Sequence, residues 1–179
     1  MVHQYINHES AVAHLGLIIN TGSRDELKKE NGLAHFIEHV IFKGTHKRKA
    51  FHVLSRLEDV GAELNAYTSK EETVLQAAFL KQHYERSIEL MADIIIHSTF
   101  PQKELDKEKE VVIDEINSYK DTPSEQIFDD FDWLLFPNHT LGNNILGTKA
   151  QVRKYTQADV LQFVKNHYRA NSMMISSVG

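Results

Sequence analysis

The chain has 179 residues and 41% hydrophobic residues, which suits a single domain with a real core. Its net charge of −5 and one short basic run, Lys47-Arg48-Lys49, give it no general attraction to nucleic acid. The lack of cysteine excludes disulfides and thiolate ligands, so a transition metal would need His and carboxylate ligands, which suits zinc. Neither a signal peptide nor an apolar stretch near ~18 residues is recognisable, so we expect a cytoplasmic protein without a membrane span.

Strands and helices alternate along the chain. Short apolar runs predict strands at 12–20, 63–69, 73–80 and 172–178. Helical spacing and end signals predict helices at 32–42, 51–60, 82–98, 101–120, 123–136 and 156–168, with Asn31 as N-cap of the first and a polar loop at 21–30. In the third helix we expect a buried face formed by Ile88, Met91, Ala92 and Ile95.

The order of these elements predicts the fold class. A strand, helices, a strand pair, helices and a final strand indicate an α+β domain over residues 1–179. We expect a mostly antiparallel sheet with helices packed on one face.

The segment His35-Phe36-Ile37-Glu38-His39 lies on the first predicted helix. Residues four apart share a helix face, so the imidazoles of His35 and His39 can reach one metal ion. Glu38 stays near that face and can act on the water beside the ion. The His-x-x-Glu-His order is the inverted form of a zinc-peptidase motif. The alternative is a helix whose histidines lie at a polar surface.

A catalytic zinc needs a third protein ligand and an open position for water. Glu108 and Glu115 are seven residues apart, so both face the same way on the helix that ends near residue 120. We expect Val111, Val112 and Ile116 to draw this region into the core, where a carboxylate needs a partner. A carboxylate on this face, Glu108 or Glu115, is therefore a candidate third ligand, and for Glu115 a plain surface carboxylate is the alternative.

Several further segments occur in a fixed order: Gly22 to Glu26, Asn31 to His39, Phe42 to Thr45, Gly61 to Thr68, Glu108 to Ile116, Gly142 to Gly147 and Tyr168 to Gly179. Together they resemble the pitrilysin and insulin-degrading-enzyme family nearly end to end, and most of all its processing-peptidase branch. The spacing of 76 residues between His39 and Glu115 agrees with that family. Ordered motifs are far more specific than one motif alone.

The resemblance implies a zinc endopeptidase. His35, His39 and Glu115 fall on the family's zinc ligands, and Glu38 falls on its general base. Glu108 falls on a glutamate that supports the site without binding the metal, with an exposed charge as the alternative.

The resemblance also implies a substrate-binding edge strand containing Asn65, Ala66 and Tyr67. An extended peptide can add to such an edge through main-chain hydrogen bonds, so unstructured peptides are the expected substrates. The alternative for Tyr67 is a core or edge aromatic without a substrate role.

The family's catalytic chamber is built from several related domains, and this chain corresponds to about one of them. We therefore expect a second domain or subunit, or a homo-oligomer, as partner, and the activity of the isolated chain stays open. Two alternatives remain: a non-catalytic scaffold or peptide-binding subunit of the same fold, and a structural zinc site, which would need a fourth ligand.

Overall fold

The chain is built around one five-stranded sheet in a computed structural model that describes residues 1–6 and 9–179. The strands are β1 (Val2–Tyr5), β2 (Val12–Ile19), β3 (Glu63–Thr68), β4 (Thr73–Leu80) and β5 (Met173–Val178), in the spatial order β1-β5-β2-β4-β3. β1 runs parallel to β5, and the other neighbours are antiparallel. The prediction of a mostly antiparallel sheet is confirmed.

Helices complete the α+β fold. They are α1 (Leu33–Val40), α2 (Ala50–Glu58), α3 (Tyr84–His97), α4 (Gln102–Lys120), α5 (Pro123–Leu135), α6 (Lys149–Val152) and α7 (Gln157–His167). The predicted helices and strands match these bounds to within about two residues. Within the described residues, no helix is long and apolar enough to cross a membrane.

Two elements were not predicted. All four residues of β1 are exposed, so its sequence lacks the apolar alternation that marks a half-buried strand. It is held by main-chain pairing to β5, more than 170 residues away, which no local pattern reveals. α6 has a single turn, too short for a helical period to show.

The core lies on one face of the sheet. Alternate residues of β2 (Ala13, Leu15, Leu17 and Ile19) are buried under the helices, as the two-residue period of a strand requires. The opposite face is open and forms a shallow groove lined by polar residues, among them His14, Glu63, Asn65 and Gln76. Helices thus pack on one face, as predicted.

The buried face of α3 differs from the prediction. Ser87, Leu90 and Ile94 are buried together with Met91, whereas Ile88 and Ala92 are exposed and Ile95 is half-buried. The predicted face is wrong by part of a turn, because apolar residues lie on both sides of Met91. The apolar residues on the outer side of the helix, Ile88, Ala92 and Ile95, line a surface groove of about 590 Å³ beside β5.

α5 turns its apolar residues outward. Ile127, Phe128, Phe131, Leu134 and Leu135 share one helix face by spacing, and each is more than half exposed. The helix is attached through polar contacts on another side, where Lys70 Nζ lies 2.6 Å from Asp132 Oδ2. α5 therefore presents an apolar surface that this domain does not itself cover.

Candidate metal centre and active site

α1 supplies both histidines of the candidate site. Phe36 and Ile37 are fully buried and anchor the helix in the core, between β3 and α4. This packing turns His35 and His39 toward α4, with their ring centroids 4.7 Å apart. The alternative of two histidines at a polar surface is wrong for His35, which is buried.

Glu115 reaches the two histidines from α4. Its Oε2 lies 3.2 Å from Nε2 of His39 and 3.6 Å from Nε2 of His35. One ligand atom from each residue lies within 4.8 Å of the others, and no other such group of three exists among the described residues. The structure therefore brings together the three ligands predicted from the sequence.

The arrangement fits a divalent metal. Glu115 Oε2 is inaccessible to solvent, and its nearby polar neighbours are the two imidazole nitrogens, which leaves a buried anionic oxygen facing them. Such an oxygen is costly without a cation, and nitrogen and oxygen donors suit zinc. The Glu115 side chain is 42% exposed, so one side of the site is open, as a catalytic metal requires.

The position of Glu115 also corrects one detail of the sequence argument. Val112 and Ile116 are buried, but Val111 is 50% exposed. Successive residues on a helix are 100° apart, so Val111 and Val112 cannot both face the core when α4 lies at the surface.

The charges of the site favour metal binding. Burial lowers the pKa of His35 to about 4, so its imidazole is neutral at pH 7 and can offer a lone pair. Burial also lowers the pKa of His39, but its contact with Glu115 and the charges of Glu38 and Glu108 outweigh this and raise it. The contact with His39 in turn lowers the pKa of Glu115. A bound metal ion would take the place of the proton between His39 and the carboxylate of Glu115.

Glu38 lies beside the ligand group without belonging to it. Burial raises the pKa of its carboxyl group, and the neighbouring Thr68 and His39 offset that effect only in part. A carboxylate with a raised pKa is a stronger base than an ordinary glutamate, which suits a group that must accept and return a proton.

Glu108 supports His39 from the other side of the ring. Its Oε2 lies 3.5 Å from Nδ1 of His39, and its Oε1 lies 2.7 Å from Nζ of Lys43. The side chain is only 14% exposed, so the alternative of a plain exposed charge is wrong. Because Glu108 faces Nδ1, it can hold Nε2 of His39 toward Glu115.

Lys43 was not identified from the sequence, although it lies within the matched segment Phe42 to Thr45. Its ammonium group balances the charge of Glu108 and fixes one carboxylate oxygen.

β3 is an edge strand, as predicted. Within the described chain it pairs with β4 alone, so its outer main-chain groups are open to an added strand. Tyr67 is 44% exposed, which excludes a core aromatic and leaves an edge aromatic as the alternative to a substrate-binding role. Ala66 is half-buried toward the helices, whereas Asn65 is exposed on the open face. A role for Asn65 in substrate binding stays a prediction.

The N-terminus of α1 is shaped by two glycines. Gly32 occupies the N-cap position with φ +93°, so the prediction of Asn31 as N-cap is wrong by one residue. The side-chain amide of Asn31 instead donates a hydrogen bond from Nδ2 to the backbone carbonyl of Asn144 at 3.2 Å. A Cβ on Gly147 would lie 2.3 Å from the carbonyl oxygen of Asn31, so Gly147 must approach this turn without a side chain.

We expect Gly147→Ala to destabilise the protein by about 3 kcal/mol or more, measured as the free energy of unfolding in urea. A left-handed alanine costs about 1–2 kcal/mol, and the clash with Asn31 adds to it. Gly61→Ala is the matched control, because Gly61 has the same φ of +69° but open space around its Cβ position. Equal losses in the two variants would contradict the close approach.

The carboxylate of Glu26 caps α1 from a distance. Its Oε2 accepts a hydrogen bond from the backbone N–H of Gly32 at 2.9 Å, and its Oε1 accepts one from that of Ala34 at 2.8 Å. Glu26 is 3% exposed, and burial raises its pKa to about 7 against the lowering effect of these hydrogen bonds. The sequence places Glu26 in a polar loop, and only the matched segment Gly22 to Glu26 pointed to it.

Residues 2–149 match the family model described as Insulinase (Peptidase family M16). The chain belongs to this family. An uncharacterized zinc protease, YmxG of Bacillus subtilis (strain 168), is 37% identical to the M16 chain over 165 residues, which cover 92% of this chain and 40% of the relative. The human mitochondrial-processing peptidase subunit beta is 36% identical over 165 residues, covering 92% of this chain and 34% of the subunit.

Solved structures agree with the M16 assignment. The periplasmic protease PqqL from Escherichia coli superposes with a TM-score of 0.89 at 28% identity, covering 99% of this chain and 20% of PqqL. A peptidase M16 inactive domain from Pseudomonas fluorescens superposes with a TM-score of 0.92, covering 99% of this chain and 43% of that one. Its identity of 20% shows the fold alone. The resemblance and the fold class are confirmed.

The M16 chain spans 34–40% of the length of these two curated relatives. Relatives named proteases and peptidases support a peptidase-type function for the chain. The roles of its site residues and its extent as one domain stay predictions. Its cytoplasmic location also stays a prediction, since the relatives are named after the periplasm and the mitochondrion.

Proposed function

We propose that this chain is the zinc-binding catalytic domain of a metalloendopeptidase. The observation that carries the proposal is the convergence of His35 and His39 Nε2 on the buried Oε2 of Glu115, within 3.6 Å. Glu38 stands beside these atoms on the same helix as the histidines. A structural zinc site would need a fourth ligand, and the ligand group found in the described residues has three.

The chain's own residues account for the proton transfers. Zinc, when bound, supplies a Lewis acid for the peptide carbonyl and the attacking water. Glu38 accepts a proton from that water on its carboxylate and then delivers it to the amine of the leaving peptide. Glu108 and Lys43 keep the His39 ring in its ligand orientation while this occurs.

The open edge of β3 supports unstructured peptides as substrates. An extended peptide pairing with β3 would use main-chain hydrogen bonds, which depend little on its side chains. Thr68, at one end of β3, is close enough to Glu38 to lower its pKa, so this edge leads to the candidate base. A folded protein could not supply such a strand without unfolding locally.

A second domain or subunit would complete the site. The relatives are two to three times longer than this chain, and the outward apolar face of α5 offers a contact surface for an additional domain. We therefore expect cleavage to require such a second domain or subunit, and a homo-oligomer is the other arrangement that would cover the apolar face of α5.

The alternative function is a non-catalytic scaffold or peptide-binding subunit of the same fold. Its fold would be identical, so only the site can separate the two. A scaffold has no need of a metal ligand set or of a half-buried carboxylate such as Glu38 beside it, and both are present. This favours the peptidase.

The first test is the zinc content of the chain, measured by elemental analysis after zinc is supplied and the excess is dialysed away. We expect about one zinc per chain, lost on treatment with a chelator, since three ligands converge on one point. Cleavage of an unstructured fluorogenic peptide, by the chain together with the second domain or subunit proposed above, should vanish with the metal and return when zinc is restored. A chain that takes up little zinc would contradict the proposal, and zinc binding without any cleavage would favour the scaffold.

A further inference from the structure

α1 carries the two histidines and Glu38 on only eight residues, Leu33–Val40. A helix of two turns is unstable by itself, so its direction must be set by its surroundings. Phe36 and Ile37 fix its middle by burial. Its beginning needs a different support, because the first N–H groups of a helix have no partner within the helix.

That support does not come from the usual position. A helix is commonly capped by the side chain of its N-cap residue, but the N-cap of α1 is Gly32, which has none. Glu26, six residues earlier, takes this part with both carboxylate oxygens, one on the N–H of Gly32 and one on that of Ala34. The N–H of Ala34 directly precedes His35, so the restraint acts next to the first metal ligand.

Glu26 is an unusual choice for a cap. It is almost completely buried, and no ion pair joins it to a Lys, Arg or His among the described residues. Its counter-charge is the positive end of the α1 dipole, and its hydrogen-bond donors are the two N–H groups and the side-chain amide of Asn31, which lies 3.4 Å from Oε2. Burial raises the pKa of the Glu26 carboxyl group, because desolvation disfavours the charged form. A side chain at position 32 could not provide the cap, because Gly32 has φ +93° and a Cβ there would lie 2.6 Å from the carbonyl oxygen of Leu146, so the cap must come from a residue elsewhere in the chain.

We propose that Glu26 is a positioning residue of the metal site, which fixes the first turn of α1 so that His35 and His39 point at Glu115. This inference rests on the zinc site proposed above. Two contacts of Glu26 in different directions hold the turn against rotation about the helix axis, which a single capping oxygen would not. Rotation by a small angle would move the His35 ring away from Glu115 Oε2, which is 3.6 Å from its Nε2.

The test compares Glu26→Gln and Glu26→Ala with wild type at pH 8, where the Glu26 carboxyl is mostly ionised. Gln keeps the size of the side chain but has one acceptor oxygen, so its NH₂ group would face the N–H of Gly32 or Ala34, donor against donor. Ala removes both acceptors. Glu30→Gln is the matched control. Its carboxylate accepts a hydrogen bond from the N–H of Leu27 at 3.0 Å and caps the neighbouring short turn, with no hydrogen bond to α1 among the described residues. Besides burial, its charge raises the pKa of Glu26, so its loss only favours the ionised Glu26 carboxylate further at pH 8.

Three quantities are measured: the zinc Kd by competition with a chelator, the visible absorption spectrum of the Co²⁺-loaded protein, and the urea midpoint of the metal-free protein. We expect zinc to bind about 10–100-fold more weakly in both Glu26 variants, the range found when a group that supports a ligand is lost. We also expect their Co²⁺ spectra to shift, because those bands report ligand geometry. Glu30→Gln should match wild type in zinc Kd and spectrum.

The inference is overturned if Glu26→Gln folds, keeps the wild-type Co²⁺ spectrum and binds zinc within about twofold of wild type. It is also overturned if Glu26→Gln does not fold, since Glu26 would then hold the fold and not the direction of the ligands. Unfolding of Glu26→Ala alone leaves the decision to Glu26→Gln. If the wild type binds no zinc, the proposed function fails. If the wild type and both Glu26 variants bind zinc equally well, the proposed function stands and only the role of Glu26 fails.

Discussion

Glu38→Gln is expected to abolish peptide cleavage and leave the metal in place, with kcat lowered about 10²–10⁴-fold in any assembly where the wild type cleaves. Gln has the size of Glu but cannot accept and return the proton of the attacking water. Glu38 lies outside the ligand group, so zinc per chain should stay at the wild-type value. Both quantities are measured on the same preparation, by a fluorogenic peptide assay and by elemental analysis.

Glu110→Gln is the control for this experiment. Glu110 is an exposed residue of α4 that carries the same charge as Glu38, so its substitution tests for any general effect of losing a carboxylate. It should cleave like the wild type. If Glu38→Gln cleaves as fast as the control, Glu38 is not the base. If it cleaves slowly but has also lost zinc, the residue acts on the metal and the assignment of roles is wrong.

Glu115→Gln is expected to remove zinc from the protein. The substitution replaces the anionic oxygen between the two imidazoles with a neutral amide oxygen, which is a much weaker zinc ligand. We expect the zinc Kd to rise more than about 100-fold, beyond the effect of losing a group that merely supports a ligand. Zinc per chain should then fall well below one after dialysis.

The neighbouring Asp114→Asn serves as the control for Glu115→Gln. Asp114 is exposed on α4, so its substitution by Asn removes one negative charge from the same turn without changing a candidate metal ligand. Its zinc content should equal that of wild type. Zinc retained at full stoichiometry by Glu115→Gln would show that a different group supplies the third ligand, and the site would have to be reassigned.

These two experiments rest on residues that sequence reasoning had already named, and the reason is local. His35, Glu38 and His39 lie within one helical turn and a quarter, where spacing alone settles which side chains share a face. The main strands and helices were predicted for the same reason, since apolar period and end signals act over a few residues. Glu115 needed the additional evidence of motif order, because 76 residues separate it from His39.

Other features depended on contacts that no local pattern records. β1 is held by pairing to the other end of the chain, and α5 turns its apolar stripe outward, although the same stripe in a sequence would normally be assigned to the core. Lys43 belongs to the site because its Nζ lies 2.7 Å from Glu108 Oε1, a contact between α4 and the segment after α1 that the sequence does not reveal.

Composition, helical period and motif order by themselves determined the fold class and the family of this protein, and they named the candidate ligand set and the candidate base. Only the tertiary structure decided how the histidines are aimed. That depends on the close approach of Gly147 to Asn31 and on the burial of Glu26 against the first turn of α1. The physical reason is that ligand identity follows from side-chain chemistry, whereas ligand direction follows from the packing of segments that are distant in the chain.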